Sequence, residues 1–358
     1  LNDQKECSEQ DTLRIFPKER QIPVKKPKSF ILFPFELHAK RKETFEQKET
    51  ESVELIKNHL KIFKKCYVVS SHGKDSLVLV HLIWRACNEL EIPMIEVWLN
   101  HTLNTYKEEK DFWIQFNKWL GIEDKFKVFY PPKDENGKQY TVWSIAKKVG
   151  YLPNFRRTAR RESLSYKYSN IPECCAILKK KSINEFLKHL PSDQRYDCHF
   201  IGTRAEESQM RSLGVLQRCR SYLIKTRHPY PIRACTPLSF WNKTDIYEYF
   251  HRYNLPQNPT YQIHNLDRMG CASCPAHKNW EIRLANDPTE EGFGMLKQNL
   301  TILKETEPER LKQSILILKE YLKSAKSTKY MENSMRSRLI DIIKQFDRTY
   351  VNLDVFVT

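Results

Sequence analysis

The chain is predicted to fold as α/β, a doubly wound parallel sheet with a C-terminal helical extension. Three observations lead there. Short apolar runs of strand length alternate with segments of helical period. A polar, glycine-containing turn joins the first such strand to the first long helix. From about Glu281 onward the strand signal stops and long amphipathic helical patterns replace it.

The elements follow in order. Residues 1–42 are polar and punctuated by proline, with Lys25-Lys26-Pro27-Lys28 and Lys40-Arg41-Lys42, and form a basic N-terminal extension. Between Glu43 and Lys65 the apolar residues Phe45, Val53, Leu55, Ile56, Leu60, Ile62 and Phe63 recur at helical spacing. The strand Tyr67 to Ser70, helix Ser76 to Leu90 and strand Ile95 to Leu99 then make a βαβ unit, whose crossover rule demands parallel strands. Helix Thr105 to Leu120 and strand Phe126 to Phe129 continue the rhythm. Residues 136–170 lack a strand signal, with one short helix at Thr141 to Lys148. Helix Ala176 to Leu190, strand His199 to Gly202 and helix Thr244 to Tyr253 complete a core of residues 43–285. Residues 286–358 form a helical C-terminal region: Met295 to Glu305, Pro308 to Ser324 and Asn333 to Phe346. Ligands of such sheets bind beyond the strand carboxyl ends, so the loops after Ser70, Leu99 and Ile201 face one crevice.

Composition narrows the class. No apolar stretch reaches the length of a membrane span, and the polar N-terminus does not read as a signal peptide, so a cytoplasmic protein is expected. Ten cysteines, including Cys174-Cys175 and Cys271-Ala272-Ser273-Cys274, point in a reducing compartment to metal or sulfur chemistry rather than disulfides. The net charge is +16, which attracts polyanions. Arg156-Arg157-Thr158-Ala159-Arg160-Arg161 precedes Tyr166-Lys167-Tyr168, a pattern suited to phosphate contacts and stacking on unpaired bases. A second basic cluster comprises Arg218, Arg220, Lys225, Arg227, His228 and Arg233.

The turn Ser71-His72-Gly73-Lys74-Asp75-Ser76 reads as a pyrophosphate loop. Backbone N–H groups at a helix N-terminus converge on an anion, Gly73 allows close approach, and Ser71 and Ser76 add hydroxyls while Lys74 adds charge. It differs from a Walker-type loop, because Lys74 precedes an aspartate. The alternative is an ordinary polar turn with a capped helix.

Further stretches recur in one order: Gly202-Thr203-Arg204-Ala205-Glu206-Glu207-Ser208-Gln209-Met210-Arg211, Pro237-Leu238-Ser239-Phe240-Trp241-Asn242-Lys243-Thr244-Asp245-Ile246-Tyr247-Glu248-Tyr249, Leu255-Pro256-Gln257-Asn258-Pro259-Thr260-Tyr261, and Arg268-Met269-Gly270-Cys271-Ala272-Ser273-Cys274-Pro275. Over about residues 62–285 the chain resembles the phosphoadenylyl-sulfate (PAPS) reductase family of PP-loop adenine nucleotide α-hydrolases. It is similar in type to the ATP pyrophosphatases of DNA phosphorothioation. The resemblance implies ATP held with Mg²⁺ by Ser71, His72, Gly73, Lys74, Asp75, Ser76, Asn100 and Ser208. Lys74, Asp75, Arg204, Glu207 and Arg211 would be catalytic. Asp75 would orient the metal or brace the loop, and Arg204 and Arg211 would clamp phosphate while Glu207 orients an arginine or binds metal. Two departures stand out. His72 occupies a position usually glycine, where it alters the backbone or adds a cationic donor, and Asn100-His101-Thr102 replaces Asp-Thr-Gly.

Cys174, Cys175, Cys271 and Cys274 resemble the four-cysteine 4Fe-4S arrangement of one branch of the family. Four thiolates hold a cubane or a tetrahedral zinc, and the adjacency of Cys174 and Cys175 favours iron–sulfur. Lys179, Lys180 and Lys181 would offset thiolate charge. Cys87 reads as core packing, and Cys198, Cys219 and Cys235 as possible relays.

No cysteine follows Cys274, whereas the reductases draw a nucleophilic cysteine from a C-terminal motif. The expectation is therefore an ATP pyrophosphatase that adenylylates a nucleic-acid oxygen for sulfur insertion, on DNA sooner than RNA. Its expected partner is a sulfur donor such as a cysteine desulfurase, and Arg156, Arg157, Arg160 and Arg161 would contact the nucleic acid. The alternatives are a reductase that borrows a partner's thiol and a non-catalytic nucleic-acid-binding module.

Overall fold

The computed structural model describes residues 31–153, 172–224, 229–277, 279–324 and 331–347. Helix α1 (Pro34–Lys42) precedes α2 (Phe45–Ile62), which starts at a reciprocal cap between Thr44 and Gln47. Strand β1 (Cys66–Val69) leads to α3 (Lys74–Glu89), β2 (Glu96–Asn100) to α4 (Lys107–Leu120), and β3 (Phe126–Phe129) to α5 (Val142–Val149). Helix α6 begins at Glu173–Cys175, widens to a π-helix over Ala176–Lys181 and returns to α-helix over Ser182–Lys188. Next come β4 (Cys198–Ile201), α7 (Gln209–Arg218), β5 (Ser221–Ile224), β6 (Ile232–Cys235), α8 (Lys243–Arg252) and the short α9 (Thr260–Ile263). Helices α10 (Trp280–Ala285), α11 (Glu290–Thr306), α12 (Pro308–Lys323) and α13 (Asn333–Phe346) complete the described chain. None of these helices is long and apolar enough to cross a membrane.

The six strands lie in the order β3-β2-β1-β4-β6-β5. All neighbours are parallel except β5 on β6. The predicted doubly wound α/β sheet is therefore present, with one antiparallel strand added at its edge. Chain order reverses between β1 and β4, which makes the ends of these two strands the switch point.

Side-chain alternation divides the core into two layers. Val68, Val97, Leu99 and Phe200 point to the face covered by α2, α3, α4 and α8, where Ile56, Leu77, Val80, Ile83, Phe116 and Tyr249 pack. Tyr67 and Trp98 point to the other, stacked with centroids 3.7 Å apart over Phe129, Ile183 and Leu187. Cys198 and Cys235 are wholly buried in the first layer, and Cys66 lies directly across from Cys198. These two thiols are buried in the core and do not line the cleft at the switch point, while Cys198 faces Cys66. Cys87 packs in the same core, as expected, with its thiol pushed up to about 11 by burial.

Two members of the second basic cluster are engaged within the fold. The guanidinium of Arg220 is turned inward and donates to Glu51, Ser52 and the Pro237 carbonyl, while Arg218 lies over the Tyr222 ring. Its members Lys225, Arg227 and His228 lie outside the described residues.

Helices α10 to α13 build their own apolar core from residues such as Leu296, Leu300, Leu303, Ile315, Leu318 and Leu339. That core also takes in Tyr106, Ala146, Leu152 and Ala272. The C-terminal helices are thus packed directly against the cysteine-bearing segment.

Candidate functional site

At the end of β1 the chain turns sharply. His72 has φ 51°, the left-handed conformation that ordinarily favours glycine, and its N–H donates to Ser70 Oγ (3.1 Å). Gly73 then caps α3, so Lys74 and Asp75 open the helix with N–H groups that have no partner within the helix. Space around this turn is tight. A Cβ at Gly73 would lie 3.1 Å from Met269 Cβ, and one at Gly202 would lie 3.3 Å from the Asp75 carbonyl oxygen. These two glycines let the β1 and β4 ends and the segment before Cys271 approach one another.

The result is a cleft of about 450 Å³ over the switch point. Ser71, Gly73, Lys74, Asp75 and Ser76 line it from one side, and Arg204, Glu207 and Arg211 from the other. Sequence reasoning had named all of these. Lys243, Tyr247, Tyr261, Asp267, Arg268 and Met269 also line it. All but Asp267 lie within the recurring stretches, but nothing in their residue types singled them out as site residues.

Five cations against three carboxylates line this cleft, and most already have partners. Asp75 forms an ion pair with Arg204 Nε, which braces the loop against β4. Arg204 also reaches Glu206 (2.7 Å), and Glu207 both pairs with Arg211 and accepts the Arg204 N–H (3.1 Å). Burial lowers the Arg211 pKa, with the nearby positive charge of Arg268 adding to the effect. Lys74 Nζ donates to Tyr247 Oη (2.7 Å) and lies over the Tyr261 ring (4.5 Å), while its backbone N–H donates to Tyr261 Oη (3.0 Å). The two tyrosines thus hold the lysine and one helix N-terminal donor where an anion would be held.

Three of the named residues sit elsewhere. His72 is fully buried among Trp113, Phe116 and Phe126, and burial lowers its pKa to about 3, so it is neutral and cannot act as a cationic donor to the cleft. Its effect is on the backbone. Ser208 Oγ accepts the Arg211 N–H (3.2 Å) as a helix cap. Asn100 ends β2 with a buried Oδ1 that has no hydrogen-bond partner among the described residues, outside the cleft wall.

The cysteines come together from two directions. Cys174 and Cys175 sit at the start of α6, and Cys271 and Cys274 on a turn closed by the Cys274 N–H to Cys271 O bond (3.1 Å). The loop after β2 grips that turn: the Asn104 carbonyl accepts from Ala272 (2.7 Å), Asn104 Oδ1 from Ser273 (3.2 Å), and Thr102 Oγ1 from Cys271 Sγ (3.5 Å). On the far side Asn299 donates to the Ser273 carbonyl (2.9 Å). The bond from Cys174, opposed by burial and aided by Lys179 and Lys180, draws the Cys175 thiol down to about 6. Cys271, Cys175, Cys274 and Cys174 all raise the pKa of Lys179. Two segments thus bring four cysteines and Lys179 into one neighbourhood, where the charges act on one another, the chemistry that a group taking four thiolates would need. Arg156, Arg157, Arg160 and Arg161 lie outside the described residues.

No curated protein sequence matches this chain. Among solved structures it is similar to PAPS reductase from Candida auris in a phosphate complex, at 15% identity and TM-score 0.40, covering 65% of this chain and 93% of that one. It is similar also to Candida glabrata FMN adenylyltransferase with FAD and pyrophosphate, at 12% identity and TM-score 0.38 over 64% and 67% of the two chains. A third similar structure is the tRNA thiolase NcsA from Methanococcus maripaludis with its 4Fe-4S cluster, at 13% identity and TM-score 0.37 over 87% and 83%. The phosphoadenosine phosphosulfate reductase domain model matches residues 65–277, a span that runs from the strand before the loop to just beyond Cys274. It covers more than half of the chain, which therefore belongs to the phosphoadenosine phosphosulfate reductase domain family.

Proposed function

We propose that the chain is an ATP pyrophosphatase that adenylylates a nucleic-acid oxygen in preparation for sulfur insertion, of the phosphorothioation or thiolation type. One observation carries the reading. Asp267, Arg268 and Met269 line the cationic cleft, and Cys271 follows two residues later, so nucleotide and sulfur chemistry share one segment.

In this scheme the α3 N-terminus, Lys74 and Arg211 receive the β and γ phosphates of MgATP as leaving pyrophosphate. A polynucleotide oxygen attacks the α-phosphorus, the bond to the bridging oxygen breaks, and AMP remains on the acceptor until sulfur displaces it. The protein contributes positioning and charge stabilisation. To bind, the phosphates must displace Tyr261 from the Lys74 N–H and Tyr247 from its ammonium. Cys174, Cys175, Cys271 and Cys274 would hold a 4Fe-4S cluster, which supplies a sulfur-rich redox centre beside the cleft. A separate sulfur donor, such as a desulfurase, completes the reaction.

The deciding experiment measures AMP and pyrophosphate formed from ATP with single- and double-stranded DNA and RNA. Polynucleotide-dependent release, abolished in Lys74→Ala without change in circular dichroism, is expected. Sulfite release from phosphoadenylyl sulfate with a thiol donor, and none of pyrophosphate from ATP, would replace this reading with reduction.

A further inference from the structure

Outside the cleft, Glu108 in the first turn of α4, His264 after α9 and Glu291 in the first turn of α11 converge. One ligand atom from each lies within 4.8 Å of the other two. His264 is almost wholly buried and its two ring nitrogens face different groups. Nδ1 lies 3.0 and 3.1 Å from the oxygens of Asp287, and Nε2 lies 3.1 Å from Glu108 Oε2. Asp287 is in turn fixed by the N–H and hydroxyl of Thr289, at 3.0 and 2.7 Å. The imidazole also stacks on Tyr106 with centroids 3.6 Å apart. A Cβ at Gly292 would collide with the Asp287 carboxyl, so this residue makes room for it.

A carboxylate that holds Nδ1–H aims the Nε2 lone pair outward, which is how histidine ligands of metals are oriented. An ion pair between His264 and its two nearest carboxylates would explain Asp287 and Glu108 but leaves Glu291 unexplained. Among the described residues, Glu291 Oε2 is buried without a hydrogen-bond partner. Three carboxylates around one imidazole leave excess negative charge that a dication would neutralise.

We propose that Glu108, His264 and Glu291 bind a divalent first-row cation, zinc being the best match to one imidazole and two carboxylates, with Asp287 as the positioning residue. The ion ties α4, the segment after α9 and α11 together, so its role is structural. The proposal does not depend on the nucleotide chemistry.

The test is a calorimetric zinc titration of the full chain, purified anaerobically and loaded with iron, alongside Glu291→Gln and Asp287→Asn. Removing one of several facing carboxylates relieves repulsion, so Glu291→Gln should fold without zinc at least as stably as the wild type. Wild type should take up one more equivalent of zinc than Glu291→Gln and gain thermal stability that this variant does not. Asp287→Asn should keep the stoichiometry with about 10- to 100-fold weaker affinity. Because the cysteines are identical in all three proteins, zinc held by thiolates cancels in the comparison. Equal zinc uptake and equal thermal shift in wild type and Glu291→Gln would overturn the proposal and leave an ion-pair network.

Discussion

His72 shows how one residue can be both costly and retained. Its left-handed φ of 51° costs about 1 kcal/mol, which glycine would not incur. Its ring fills a pocket between Trp113, Phe116 and Phe126, and emptying such a pocket costs about 3 kcal/mol. His72→Gly is therefore expected to be less stable than wild type at pH 7 by about 2 kcal/mol, the difference of those two estimates. The pH dependence follows from burial. The unfolded imidazole binds a proton near its ordinary 6.5, whereas the buried one does so only near 3. Between those values the unfolded state holds more protons, so this contribution is present above pH 6.5 and is lost as pH falls towards 3. His81 is lowered to about 4, also mainly by burial, and is unchanged in the variant. Urea midpoints at pH 7 and pH 5 should differ less for His72→Gly than for wild type. A glycine variant that is more stable at pH 7 would contradict the packing estimate.

At the scale of elements, β1 to β4, α3, α4 and the C-terminal helices were legible because each is long or apolar enough for its period to show. β5 and β6 were not. β5 is largely half-exposed and both strands sit among arginines, so charge masks their alternation. The inward turn of Arg220 depends on Glu51 in α2, a contact across 169 positions that no local pattern reveals. The loop and the Arg204–Arg211 stretch line one cleft because both follow strands that meet at the switch point. Tyr247 and Tyr261 were missed as lysine partners, since tyrosines on short helices are usually packing.

The π-helical turns in α6 mark a second element of interest. Such turns insert an extra residue per turn and are frequent at functional sites. They lie between Cys175 and Ser182 and contain Lys179, whose pKa all four cysteines raise. Protein purified without oxygen should be brown and carry about four iron atoms per chain, and Cys274→Ser should lose both. Iron analysis with visible absorption checks this. Stoichiometric zinc in place of iron at the cysteines would reverse the assignment.

For the molecule as a whole, the C-terminal helices act on the site through Asn299. It is fully buried, accepts from Trp143 Nε1 (3.0 Å) and donates to the Ser273 carbonyl. Asn299→Ala removes both bonds inside a packed core and should cost about 1–3 kcal/mol. It should also speed loss of iron on exposure to a chelator while leaving ATP affinity nearly unchanged, because Asn299 does not line the cleft. Chemical denaturation and iron-release kinetics test the two parts. The net charge of +16 makes a further prediction at this scale. Replacing Arg156, Arg157, Arg160 and Arg161 by alanine should weaken polynucleotide binding and flatten its salt dependence by about one unit of slope per lost phosphate contact. Salt titrations followed by fluorescence anisotropy would show it, and unchanged slopes would exclude this segment as the docking surface.

Met269 forms part of the nucleotide wall, and Cys271 stands two peptide units further on, a reach of at most about 7 Å. On the proposed function, this shared segment gives the two sites a route to thermodynamic coupling. If filling the cleft shifts Met269 and changes how tightly the cysteines hold their group, then filling the cysteine site must change nucleotide affinity by the same factor. A chain stripped of its thiolate-bound group would then be a quantitatively altered nucleotide binder rather than a merely incomplete enzyme. One coupling constant, measured from either side, would describe both.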